Sequence, residues 1–162
     1  MNQAYLVTGG NMGNRTVNLF TAKQLIGKSC GEIIHSSSLY ETEAWGNPNQ
    51  ETFLNQAVCI STLYSASDLL IELLSIEERM GRIRKEKYGP RIIDIDIIFF
   101  NHDVIRENKL QIPHPEMQHR LFVLLPLSEI APDYIHPVSG YSVNELLLRC
   151  NDTLTVKKFL PA

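Results

Sequence analysis

Residues 81–100 read GRIRKEKYGPRIIDIDIIFF, and they divide into a cationic, glycine-bounded loop and a strand. The loop carries Arg82, Arg84, Lys85, Lys87 and Arg91, with Gly81, Gly89 and Pro90 setting its bends. The strand-like run Ile92–Phe100 carries Asp94 and Asp96. Strand side chains alternate, so the two carboxylates share a face about 7 Å apart, and Ile95, Ile97 and Phe99 are expected on the other. Two ionised carboxylates on an otherwise apolar strand repel and resist desolvation, so they need a cation, a proton or a hydrogen-bonding partner. A divalent metal such as magnesium meets that need, because it takes oxygen ligands and completes its shell with waters and phosphates. Arg82, Arg84 and Arg91 are planar forks suited to phosphate oxygens. Singly, each of these residues reads as a solvated turn or an ordinary ion pair. Together they point to metal-assisted phosphoryl chemistry without naming the reaction.

At 162 residues and 44% hydrophobic content the chain suits one compact domain, residues 1–162. Net charge is -3, which disfavours a general binder of nucleic acid or of anionic membranes. The basic cluster is local: Arg79, Arg82, Arg84, Lys85, Lys87 and Arg91 stand against Glu86 alone, a pattern for a small anionic ligand. Cys30, Cys59 and Cys150 are widely spaced and lack a C-x-x-C pair, which favours reduced thiols. No secretory h-region opens the sequence and no run approaches membrane-spanning length, so a cytoplasmic protein is expected.

Taken in order, Tyr5–Val7 begins a strand that ends in Thr8–Asn14, a turn with three glycines. It fits neither dinucleotide nor Walker fingerprints and reads as a connector to a helix capped by Asn14 and stopped at Gly27. Residues 33–42 form a second strand. Residues 43–52 form a long loop in which Trp45 is either an anchor or a mobile cover. Phe53–Thr62 alternates, with Leu54, Val58 and Ile60 opposite Phe53, Asn55, Ala57 and Cys59. A helix capped by Ser65 or Ser67 follows, its stripe running Leu69, Leu73, Ile76 and Met80. Glu77, beside that stripe, serves either a helical salt bridge or a ligand. Beyond the DID strand come a hairpin turning at Asn101–Asp103, His114 held between two prolines, Arg120, an apolar helix over 122–130, and a capping box at Ser142 and Glu145. The tail reads as peripheral.

Strand, helix, strand, strand, helix, strand is the order of an α+β, ferredoxin-like βαββαβ core: an antiparallel sheet with both helices on one face, here with an extra C-terminal hairpin and short helices. Asp94, Asp96, Phe53 and Asn55 then lie on or near the opposite face.

The chain resembles the 6-hydroxymethyl-7,8-dihydropterin pyrophosphokinases of folate biosynthesis. The resemblance rests on Gly9-Gly10-Asn11-Met12-Gly13, residues 38–42, Phe53-Leu54-Asn55, residues 81–84, the G-P-R-x-x-D-x-D-I run over 89–97, and P-H-P-x-M-x-x-R-x-F over 113–122. It implies pyrophosphate transfer from ATP to a pterin hydroxymethyl group, with two magnesium ions on Asp94 and Asp96 and with Asp94 also near that hydroxymethyl group. It implies that Arg82, Arg84 and Arg91 belong to a catalytic loop, Arg82 and Arg91 stabilising the transferred group. Glu77, Ile97, His114 and Arg120 would line the nucleotide site, and Thr42, Phe53, Asn55 and Phe122 would hold the pterin. The partners implied are these two small molecules, acting on a monomer that could associate with other folate enzymes, with no nucleic acid or membrane. Gly10, Glu43-Ala44-Trp45, Phe53 and Tyr88 depart from the family's frequent residues. A different metal-dependent phosphotransferase, or a non-catalytic module that binds nucleic acid through the basic loop, are the competing readings.

Overall fold

The computed structural model describes residues 1–44, 49–83 and 89–160. Its elements are β1 (Asn2–Gly10), α1 (Arg15–Ser29), β2 (Glu32–Ser36), β3 (Tyr40–Thr42), β4 (Phe53–Thr62), α2 (Ala66–Arg79), β5 (Asp94–Phe100), β6 (Ile105–Arg106), β7 (Gln111–Ile112), α3 (Leu121–Ile130), α4 (Val143–Arg149) and β8 (Val156–Lys158). The main sheet is antiparallel in the order β5-β1-β4-β3-β8, and β2 also pairs with β4; β6 and β7 form a separate hairpin. This is the ferredoxin-like order expected from the sequence.

One face of the sheet packs on α1 and α2 through Leu6, Val58, Ile60, Ile95 and Ile97 against Leu19, Ile26, Leu69, Leu73 and Ile76. Asn14 and Ser65 cap the two helices with their side-chain oxygens. The helix α1 continues through Gly27 to Ser29, because Ile26 still accepts from the Cys30 N–H one turn on. The chain reverses at Gly31, where an added Cβ would lie 2.0 Å from the Ser61 carbonyl oxygen.

The opposite face is not left to the site alone. Tyr5, Val7, Ala57, Cys59, Ile98 and Phe99 pack there against Val123, Leu124 and Leu127 of α3 and Val143 and Leu146 of α4. A register shift in the β1–β5 pairing makes this possible: Leu6 pairs with Ile97 and Tyr5 with Phe99, leaving Ile98 as the extra residue of a bulge. Strict alternation places Phe99 beside Ile95 and Ile97; the bulge turns it to the Asp94 face instead, edge-on to Tyr5.

The expected second strand is two strands. Between β2 and β3, Ser37 stays beside β4 but its hydroxyl oxygen accepts from the Ala57 N–H at 2.9 Å, and Gln56 Nε2 donates to its carbonyl. A side chain replaces a backbone rung there. The C-terminal segment is also more than a loose tail, since β8 adds a strand outside β3. No helix among the described residues is long and apolar enough to cross a membrane.

Candidate active site

Sheet register assembles the site. Gly9 pairs with both Asp94 and Asn55, Val7 with both Asp96 and Ala57, and Thr42 with Phe53. Asp94 and Asp96 therefore stand on the same face as Phe53, Asn55 and Thr42, beyond the end of the α3 packing. A first cleft opens there, walled by Thr42, Phe53, Asn55, Arg91, Asp94, Asp96, Arg120 and Phe122. Val7, Gly9 and Glu43 complete it. None of these three was expected as a site residue: Val7 and Gly9 enter through register, and Glu43 only by following Thr42. Gly9 has a steric reason, since a Cβ there would sit 2.4 Å from Asn55 Oδ1.

Two polar atoms in this cleft lack a partner among the described residues. They are Thr42 Oγ1 and Asn55 Nδ2, on side chains that are each only 3% exposed. Buried polar groups are almost always hydrogen-bonded, so a pair left unmet at the wall of a cleft is a strong sign of a ligand that meets them. Phe53 and Phe122 supply aromatic surface beside them, and the Arg91 and Arg120 guanidinium groups lie 5.2 and 5.7 Å from the centres of those two rings.

The carboxylates and arginines form one network. Arg82 donates to Asp94 Oδ1 at 2.8 Å and to Glu77 Oε1 at 2.9 Å, and Arg91 donates to Asp94 Oδ2 at 3.2 Å. Burial works against the Arg82 charge, but Asp94 and Glu77 outweigh it and raise the guanidinium pKa further. Glu77 lies under the site rather than in either cleft: it is buried, and its Oε2 accepts from the Ile95 N–H at 2.7 Å. It is thus not an exposed pair within its own helix. Burial pushes the Asp96 carboxyl well above the usual carboxylate range, and the negative charges of Asp94 and Glu77 push it further.

A second cleft lies on the far side of Asp96, lined by Leu70, Ile97, Lys109, Leu110, Gln111 and His114. Asp96 belongs to both clefts, so whatever fills them meets at that carboxylate. Ile97 and His114 fall in this second cleft, and Arg120 in the first. Leu70 and Lys109 were not singled out by the sequence; Leu70 follows a stripe residue of α2, and Lys109 is a cation in the hairpin. His114 Nδ1 accepts from the Glu116 N–H at 3.2 Å, so the neutral ring carries its proton on Nε2. Burial, helped by the Arg120 charge, lowers the His114 pKa to about 4. His114 is therefore a neutral donor near neutral pH. Arg84, Trp45 and Tyr88 lie outside the described residues.

Among the described residues no three His, Cys, Asp or Glu side chains are grouped to enclose a metal. Two strand carboxylates beside arginines suit a hard cation that draws its other ligands from phosphate and water.

Residues 5–132 match the family model for 7,8-dihydro-6-hydroxymethylpterin-pyrophosphokinase (HPPK). A 2-amino-4-hydroxy-6-hydroxymethyldihydropteridine pyrophosphokinase from Synechocystis sp. is 43% identical over 140 residues, covering 86% of this chain and 71% of the relative. The enzyme of that name from Bacillus subtilis is 42% identical over 130 residues, covering 80% of this chain and 78% of its own. Among solved structures, wild-type Plasmodium falciparum HPPK-DHPS with pteroate aligns at a TM-score of 0.74 and 20% identity. That alignment covers 91% of this chain but only 44% of the solved one, and it speaks for the fold alone. The family match runs through both carboxylates, Arg82, Arg91 and the walls of both clefts, and the chain belongs to the 7,8-dihydro-6-hydroxymethylpterin-pyrophosphokinase family, enzymes of pyrophosphate transfer in folate biosynthesis.

Proposed function

We propose that this chain transfers the pyrophosphoryl group of ATP to the hydroxymethyl oxygen of 6-hydroxymethyl-7,8-dihydropterin, with magnesium held by Asp94 and Asp96. The observation that carries this reading is the pair of unmet polar atoms, Thr42 Oγ1 and Asn55 Nδ2, beside Phe53 and Phe122. A pterin is flat, aromatic and edged with donors and acceptors, so it answers both halves of that surface. The second cleft, reached across Asp96, takes the nucleotide, with Ile97 and Leu70 against the base and His114 Nε2–H offered to phosphate.

The substrate hydroxyl oxygen forms a bond to the β-phosphorus as that phosphorus releases the oxygen bridging it to the α-phosphate. AMP leaves and the hydroxyl proton passes to solvent. Magnesium, two ions in the reading the family implies, would be held by Asp94, Asp96 and phosphate oxygens and would offset the triphosphate charge. Arg82 and Arg91 then turn from Asp94 to the transferred group, where negative charge redistributes in the transition state. No strong general base is evident among the described site residues, so positioning and electrostatics supply most of the rate.

The solved neighbour is an HPPK-DHPS protein, and by that analogy this chain associates with another folate enzyme. The test is to incubate the protein with ATP and magnesium, with and without the pterin, and to resolve the products. AMP formed in step with a pyrophosphorylated pterin, and abolished by chelator, is expected. ADP, or phosphate release that ignores the pterin, would defeat the assignment.

A further inference from the structure

Asn11 follows β1 between the two loops that border the first cleft, and it is 5% exposed. Its backbone N–H donates to the Arg91 carbonyl at 3.0 Å, and its Oδ1 accepts from the Arg91 backbone N–H at 2.9 Å. Its Nδ2 donates to Gln50 Oε1 at 2.8 Å and to the Glu51 carbonyl at 3.0 Å. One carboxamide thus gives its acceptor to one loop and its donors to the other.

These loops carry different parts of the site. Glu51 lies two residues before Phe53, at the start of the strand that presents the pterin-side wall. Arg91, pinned at both backbone polar groups, reaches from there to Asp94 and the Phe53 ring. Asn11 itself lines neither cleft. A buried asparagine that merely completed its own turn would bond locally. This one bonds segments 39 to 80 residues away in sequence. If either loop shifted alone, a buried donor or acceptor on Asn11 would be stranded, so the loops are held in register with each other.

We propose that Asn11 is a positioning residue that couples the pterin-side loop to Arg91, so that filling the pterin cleft and placing Arg91 on the nucleotide's phosphates favour each other. The inference rests on the proposed function. Coupling between sites is reciprocal and commonly lies in the range of about 5–150-fold.

The discriminating variant is Asn11→Asp. It keeps the Oδ1 acceptor for the Arg91 N–H but sets a carboxylate oxygen against two acceptors, Gln50 Oε1 and the Glu51 carbonyl, so it cuts only one arm. Calorimetric titration with 6-hydroxymethyl-7,8-dihydropterin, with and without α,β-methylene ATP and magnesium, gives the coupling ratio directly. Wild type is expected to bind the pterin more tightly when the analogue is present. In Asn11→Asp that ratio drops by about 5-fold or more, while the affinity of each ligand alone changes little. The single-turnover rate falls by up to about 100-fold, and melting of the free protein remains cooperative. Asn11→Ala, which cuts both side-chain arms, loses at least as much coupling. An unchanged coupling ratio in both variants, no coupling in wild type, or failure of both variants to fold would overturn the role. Wild-type protein that makes no AMP from the pterin would sink the proposed function itself; normal turnover with an unchanged ratio sinks only the role of Asn11.

Discussion

Glu77→Gln is expected to destabilise the free protein by about 3–5 kcal/mol, the range for breaking a buried ion pair from one side. The carboxylate is 3% exposed and divides its oxygens between two donors, the Ile95 N–H at 2.7 Å and Arg82 at 2.9 Å. Glutamine offers a single oxygen. Its amide must therefore face either Ile95 or Arg82, donor against donor, and one buried donor goes unmet at roughly 1–3 kcal/mol. The bond that survives is no longer charge-assisted, and such bonds contribute about 1.5–3 kcal/mol. Losing Glu77 also relieves the Asp96 carboxyl, which it helps push up, so the lower end of the range is the better guide. At roughly 2–4 °C per kcal/mol for a domain of this size, melting should fall by about 10 °C. Urea unfolding followed by circular dichroism measures the loss. A double-mutant cycle with Arg82→Met should be non-additive by about 1–2 kcal/mol, since the two side chains share a bond. Arg82 keeps Asp94 at 2.8 Å, so ATP affinity should change much less than stability. A loss below about 1 kcal/mol, the value for a solvated pair, would refute the claim that Glu77 is the buried foundation of the arginine network.

Three further outcomes follow from single observations. Asn55→Ala removes a donor that has no partner among the described residues, so it should weaken pterin binding by about 10-fold with little effect on melting; weakened ATP binding instead would contradict the assignment of the first cleft. His114 is held neutral with a pKa of about 4, against about 6.5 for the unfolded chain, so below pH 6.5 the unfolded chain takes up the proton first. Its contribution is therefore full above about pH 6.5 and fades as pH falls towards 4, by roughly 2 kcal/mol between pH 7 and 5. His114→Gln should flatten that part of the urea-midpoint profile, and an unchanged slope would mean the ring titrates normally. Burial raises the Cys30 thiol to about 12 and also raises Cys59, so in the native protein only Cys150 should react with a thiol reagent at pH 8. Rapid labelling of all three would show that the cores open readily.

The periodic parts of the chain were legible because they depend on local pattern: the α2 stripe, the β4 alternation and the strand order all stand as read. What local pattern cannot carry is an event in a neighbouring strand. The bulge that turns Phe99 to the other face depends on how β5 meets β1, and β8 owes its strand to an edge offered by β3 more than 110 residues earlier. Residue types named Asp94, Asp96, Arg82 and Arg91 as chemistry, and register then brought Thr42, Phe53 and Asn55 beside them. Glu77 was ambiguous because a carboxylate at a helix end reads alike whether it faces water or passes beneath a sheet. Gly9 shows the same limit: its reason is the Asn55 side chain 46 positions away.

The two arginines that converge on Asp94 are not held alike, and the difference bears on how the site accepts a polyphosphate. Arg82 is shared by two carboxylates, so turning it from Asp94 leaves it anchored by Glu77. Arg91 has Asp94 as its one carboxylate among the described residues, together with the Gly89 carbonyl at 2.7–2.9 Å. A phosphate entering between them exchanges anion for anion at each guanidinium, so little new desolvation is required. The exchange frees both oxygens of Asp94, the atoms a cation bridging to the phosphates would use. In the proposed reaction, then, Arg82 turns about a Glu77 anchor set by the fold, whereas Arg91 gives up the carboxylate that holds it. That division explains why the backbone of Arg91, rather than that of Arg82, is the one clasped by Asn11. A side chain that must leave its resting partner and return can be aimed reproducibly only from a main chain that stays where it is.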